Sequence, residues 1–109
     1  MRLTDLEPQW LERDGVRVGL LFRNPVRGSR GWWTSCFFTP TPSADQDELS
    51  TAALGEDALY QGCNPACGWK ATPAPSEATF DILTITPSLD GGPGWWHGFI
   101  TNGEIVGGI

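Results

Sequence analysis

The sequence predicts a mainly β fold: a small single-domain antiparallel β-sandwich or open barrel with one short helix and a C-terminal hairpin. Three observations carry this expectation. Fourteen Gly and nine Pro in 109 residues interrupt the chain too often for long helices and suit short strands joined by turns. Six Trp and five Phe supply a large apolar area per residue, which offsets the poor surface-to-volume ratio of so short a chain. Near the end, Asn102-Gly103 separates two runs of strand-forming residues, the strongest short-range hairpin signal.

The first expected strand covers residues 15–22, where Val16, Val18 and Leu20 alternate with Arg17 and Gly19. Pro25, Gly28 and Gly31 mark a basic turn, and Trp32, Trp33, Thr34, Ser35, Cys36, Phe37 and Phe38 supply the β-favouring residues of a second strand over 32–38. Thr39-Pro40-Thr41-Pro42 must be extended, since each Pro fixes its own φ and biases its predecessor away from helix. Ser43 and Gln46 have the spacing of a capping box. Asp45, Asp47 and Glu48 suit the positive end of a helix dipole, and Leu49, Ala52 and Ala53 fall on one face. A helix over 44–54, ended near Gly55, is expected, with an acidic surface loop as the competing reading.

Turn chemistry at Gly62-Cys63-Asn64-Pro65-Ala66-Cys67-Gly68 and an irregular connector at Pro73-Ala74-Pro75 lead to residues 80–86. That run is apolar on both faces, as a central strand is, and Pro87 is expected to end it. Gly91-Gly92-Pro93-Gly94 then opens the hairpin, whose two-residue type I′ loop sets a register. Thr101 stands opposite Glu104, Ile100 opposite Ile105, Phe99 opposite Val106, Gly98 opposite Gly107, His97 opposite Gly108, and Trp96 opposite Ile109. One face carries Trp96, Ile100, Ile105 and Ile109 and is the expected core side, with a large ring over the bare Gly98–Gly107 backbone. The other carries Trp95, His97, Phe99, Thr101, Glu104 and Val106.

At this length a second folded unit would lack residues for its own core, so one domain spanning 1–109 is expected. A composition that is 39% hydrophobic and 18% charged is too apolar for a disordered chain. Residues 1–30 hold six Arg against four acids, a local charge of +2, and residues 31–109 hold one Lys against nine acids, −8, which together make the net −6. An acidic balance of this kind disfavours nonspecific nucleic-acid binding, because phosphate contacts need a basic surface. It suits a basic edge meeting an acidic face of another copy or partner, or a merely solvated surface. No stretch reaches the roughly 18 apolar residues of a membrane span, and the opening residues lack the apolar run of a secretory signal, so a cytoplasmic setting is expected. Three Cys cannot all close disulfides among themselves, and free thiols in a reducing compartment are the simpler account.

Cys36, Cys63, Cys67 and His97 are every Cys and the only His, and three thiolates with one imidazole would make a tetrahedral structural zinc site. Cys63 and Cys67 have a spacing that two ligands on one turn can use, whereas Cys36 and His97 would have to converge from distant strands. The alternative is inert thiols and a lone polar His. A Cys–His nucleophile lacks an orienting acid, no phosphate-binding or nucleophile-elbow motif is present, and no spacing singles out Asp81, Asp90 or Glu104 as paired catalytic carboxylates. The residues thus point to a protein that is not an enzyme. In the Trp32-Trp33 and Trp95-Trp96 doublets neighbouring rings point to opposite sides of a strand, so Trp32, Trp33 and Trp95 are candidates for an interface, with burial inside the fold as the alternative.

Residues 80–105, above all Leu83-Thr84-Ile85-Thr86-Pro87-Ser88-Leu89 and Trp96-His97-Gly98-Phe99-Ile100-Thr101-Asn102-Gly103-Glu104-Ile105, resemble a family of small phage and prophage proteins often labelled ammonia monooxygenase; the opening residues 1–8 look similar too. The resemblance covers about a third of the chain. Relatives typically carry a Cys-Pro-x-Cys-like knuckle after the first strand, which suggests metal binding; here that place reads Phe22-Arg23-Asn24-Pro25, without either Cys. The resemblance implies a phage or prophage origin and no catalytic residues. The expected role is a non-enzymatic phage structural or accessory protein, such as a capsid decoration protein in the virion, working through protein partners or a second copy of itself. The alternatives are a host-cytoplasmic inhibitor that binds a host defence protein and a small zinc-stabilised module.

Overall fold

A computed structural model describes residues 1–26, 31–38, 43–55, 59–62, 69–90 and 96–107. The chain forms two four-stranded sheets. The first is ordered β1 (Gln9–Arg13), β2 (Val16–Arg23), β3 (Trp32–Phe37) and β4 (Leu59–Gly62); the second is ordered β5 (Lys70–Thr72), β6 (Thr84–Asp90), β7 (His97–Thr101) and β8 (Glu104–Gly107). A 3-10 turn, Leu3–Leu6, precedes β1, and one helix, α1 (Ser43–Leu54), lies between β3 and β4. The mainly β class, the single helix and the closing hairpin are those expected from the residues. Pairing is antiparallel throughout except between β3 and β4, which run parallel. A parallel pair needs a long crossover, and α1 supplies it.

One apolar cluster joins the two sheets. Leu20, Phe22 and Cys36 from the first meet Ile85, Leu89, Trp96 and Ile100 from the second, with Leu3, Leu6, Trp69, Ala78 and Leu83 closing the ends. Phe22 and Trp96 meet edge to face at 6.0 Å between ring centres, an arrangement that suits the ring quadrupoles. A second cluster lies on the far side of the first sheet, where Leu11, Leu21 and Phe37 are covered by Leu49 and Leu54 of α1. The layers are therefore helix, sheet, sheet. Each buried aliphatic or Phe side chain contributes about 1.5–3 kcal/mol of transfer free energy, so the inter-sheet cluster dominates stability. No helix of the described residues is long and apolar enough to cross a membrane.

Both two-residue hairpins have positive φ at the two loop positions, Asp14 and Gly15 at 53° and 79°, Asn102 and Gly103 at 49° and 75°, as a type I′ turn requires. The C-terminal ladder pairs Gly98 with Gly107, Phe99 with Val106, Ile100 with Ile105 and Thr101 with Glu104, the expected register. The partners expected for His97 and Trp96, Gly108 and Ile109, lie outside the described residues.

One strand differs from expectation. Residues 80–82 form a turn and β6 begins at Thr84 and continues past Pro87 to Asp90. Phe80 stacks on Trp10 at 4.7 Å between ring centres, so its ring is satisfied by packing from a turn and does not need a strand. Pro87 falls where the β6–β7 register shifts, between Ile85 and Leu89. An irregularity of that kind tolerates a residue without an N–H, and so Pro87 interrupts the ladder without ending the strand.

Candidate functional site

Helix α1 covers the outer face of the first sheet, and among the described residues nothing covers that of the second. Alternation along β7 sends Trp96, Gly98 and Ile100 inward and leaves His97, Phe99 and Thr101 outward. The type I′ register then sets Val106 directly opposite Phe99 on the outer side. Both are 46% exposed, whereas the inward Trp96, next to His97 in the chain, is almost fully enclosed at 2%. An aromatic and a β-branched side chain thus form a cross-strand pair on an open, flat surface. Around them stand His97, whose Nε2 is 3.1 Å from Ser88 Oγ, and Glu104, which accepts from the Arg2 guanidinium at 2.7 Å. The result is an apolar centre with a polar rim.

The edge of this sheet is closed. Ile105 N donates to Met1 O and Leu3 N donates to Gly103 O, each at 2.8 Å, and Arg2 forms an antiparallel bridge with Glu104. Arg2 also donates to Asp81 O at 3.2 Å. Beside it the Asp81 carboxylate accepts from the Thr79 hydroxyl, and this bond, a backbone N–H and the Arg2 charge hold its pKa below the usual 3.8. Contacts to the second sheet are therefore available through its face and not through the β8 edge, which natural proteins protect against unwanted pairing.

The expected site residues are distributed as follows. Cys36 is buried on the inner side of β3, in the inter-sheet core, and His97 projects from the outer side of β7. The second sheet stands between them, so the fold does not bring these two proposed zinc ligands together. Cys63 and Cys67 lie outside the described residues. Among the described residues no three of His, Cys, Asp and Glu are grouped as metal ligands. Trp32 and Trp33 are each half-buried: Trp33 packs against the cluster under α1 and carries the Arg23 guanidinium 4.8 Å from its ring centre. Trp95 lies outside the described residues.

The hairpin pattern places Phe99 and Val106 on its outward side, but no local signal marks them as functional; that follows from α1 lying on the first sheet and leaving the second sheet's outer face bare among the described residues. A concavity of about 460 Å³ lies elsewhere and is lined by Glu12, Gly15, Val16, Arg17, Pro75 and Ser76. Its cation is already engaged: Arg17 donates to Pro75 O at 2.8 Å and Ala78 O at 3.1 Å and sits 4.5 Å from the Trp10 ring centre. Arg17 is thereby a tie between β2 and the connector that joins β5 to β6 within the second sheet. Compared with known proteins, the chain matches no family model, no curated protein and no solved structure.

Proposed function

We propose that the chain is a non-enzymatic protein-binding module, a structural or accessory component of a phage such as a capsid decoration protein, which docks on a protein partner through the outer face of the second sheet. The observation that carries this reading is the Phe99–Val106 pair, held outward by the hairpin register on a face that no other described residues cover. A rigid aromatic side chain at the centre of a polar rim is what protein interfaces use, because it buries area at a small cost in side-chain entropy. The acidic net charge of −6 argues for a protein partner over a nucleic acid. The sequence resemblance of residues 80–105 to phage and prophage proteins supplies the biological setting.

The test is mass spectrometry of purified particles from a phage that encodes the chain, alongside a Phe99→Glu version. The expected outcome is that the wild-type chain is present in particles and the variant is lost from them while the purified variant keeps the wild-type unfolding midpoint. Absence of the wild-type chain from particles overturns the virion assignment; capture of a host protein that Phe99→Glu abolishes would then favour the inhibitor reading.

A further inference from the structure

We infer that residues 1–6 form an exchangeable arm, which can leave its own β8 edge and occupy the same edge of a second copy of this chain. The arm is a self-contained unit. Asp5 N donates to Arg2 O and Arg2 N donates to Asp5 Oδ2, both at 3.0 Å, so its turn is closed by its own atoms. Among the described residues its backbone bonds to the rest of the chain go to the last hairpin, through Met1 O and Leu3 N, while Arg2 holds Glu104 and Asp81 O and Leu3 and Leu6 enter the inter-sheet core. Strand addition of this kind is the same in every contact whichever copy donates the arm. What differs between the closed and the exchanged forms is the hinge.

That hinge is Glu7-Pro8, and its local preference opposes the closed form. Glu7 adopts φ 50° and ψ 53°, the left-handed region, which a residue other than Gly visits rarely. A residue before Pro is further biased toward extended backbone, with ψ near about +120 to +160°. Closing the arm onto its own sheet therefore holds Glu7 against two preferences at once, and an extended Glu7, which Pro8 favours, directs the arm away from it. Hinges under such local conflict favour exchange between copies, because every contact is regained and the conflict is relieved. Exchange uses the edge of the second sheet and the proposed docking uses its face, so either can fail without the other.

Cross-strand trapping in the full chain tests the inference. Arg2 and Glu104 form a pair flanked by the Met1–Ile105 and Leu3–Gly103 bonds, so it is the closely spaced, non-hydrogen-bonded kind, whose Cα separation of about 4.5 Å suits a disulfide. In a Cys63→Ser/Cys67→Ser background, chains carrying Arg2→Cys and mass-tagged chains carrying Glu104→Cys are unfolded together, refolded at high concentration and oxidised. The expected result is a mixed disulfide in several-fold excess over either like-with-like product, raised further when both chains carry Glu7→Val and reduced several-fold with Glu7→Gly. Val and Gly both remove the Glu7–Arg23 ion pair and differ in tolerance of positive φ, so their contrast reads the hinge. Placing Arg2→Cys and Glu104→Cys on one chain must give an internal disulfide at low concentration, which shows that the arm folds onto β8. A mixed product no more abundant than the like-with-like ones, a yield indifferent to Gly or Val at residue 7, or no internal disulfide in the double variant each overturns the inference.

Discussion

The Trp96 indole lies so close over Gly98 that a Cβ at residue 98 would stand 2.7 Å from its Cζ2 atom, closer than real Cβ contacts come. The bare backbone is therefore part of the ring's seat. Gly98→Ala should cost about 2 kcal/mol as an overpacked core substitution. Paired with Trp96→Leu, which shortens the side chain above it, the cost of Gly98→Ala should fall by about 1 kcal/mol, a coupling measurable by urea unfolding of the four members of the cycle. The Val106 carbonyl also crowds the added Cβ, so the relief is partial. Strict additivity would mean that the ring and the glycine are not in contact.

Gly103 is required twice over. Its φ is 75°, and a Cβ there would stand 2.6 Å from the Asp81 carbonyl carbon and 2.9 Å from Phe80 O, both backbone atoms that cannot swing away. Gly103→Ala should cost about 3 kcal/mol, the sum of about 1–2 kcal/mol of left-handed strain and an overpacking term of similar size. Asn102→Ala shares only the strain and should cost about 1 kcal/mol. Denaturant midpoints that rank the two variants in the opposite order would contradict the packing of the corner against residues 80–81.

Ser50 of α1 is fully buried, and its hydroxyl has no hydrogen-bond partner among the described residues. A hydroxyl desolvated without compensation destabilises, and Ala has the higher helix propensity. Ser50→Ala should therefore stabilise the fold by about 0.5–1 kcal/mol, seen as a higher melting temperature.

Acid should weaken the clamp around the hairpin corner. The Asp81 pKa is lower in the folded chain than the usual 3.8, so the folded state favours the carboxylate. Its contribution is complete above the unfolded value and is lost as pH falls through the folded one. The melting temperature of the wild type should drop more as pH falls from about 5 through and below the usual 3.8 than that of Asp81→Asn or Thr79→Val. Equal acid sensitivity in wild type and variants would show that the Thr79–Asp81 bond is not formed.

Elements whose geometry is set by neighbours in the chain were legible before the fold was seen. Asn102-Gly103 dictated the hairpin register and with it the burial of Trp96 and Ile100, and the Ser43–Gln46 spacing located the helix to within a residue of Ser43–Leu54. The β1 strand was missed although Asp14-Gly15 is the same kind of turn signal, because Leu11 and Val16 are out of phase: the β1–β2 register slips between Leu11 and Glu12, and no strict alternation survives. Strands β4 and β5 are four and three residues long and owe their existence to distant partners, so no local pattern announces them. For the same reason the residue types suggested a Cys–His metal set, whereas the layers separate Cys36 from His97. Which sheet face remains open depends on where α1 packs, and that is decided by Leu49 and Leu54 meeting Leu11, Leu21 and Phe37 across more than ten residues of chain.

Four of the six arginines in the first thirty residues are paired with acids. Arg2, Arg13, Arg17 and Arg23 are held by Glu104, Asp45, Glu12 and Glu7, so four cations concentrated at one end of the chain are neutralised in space by acids from its start, middle and end. The net charge of −6 then acts between molecules as repulsion. Raising ionic strength should then bring copies of this protein together more readily, the opposite of what a molecule with one positive and one negative pole would do.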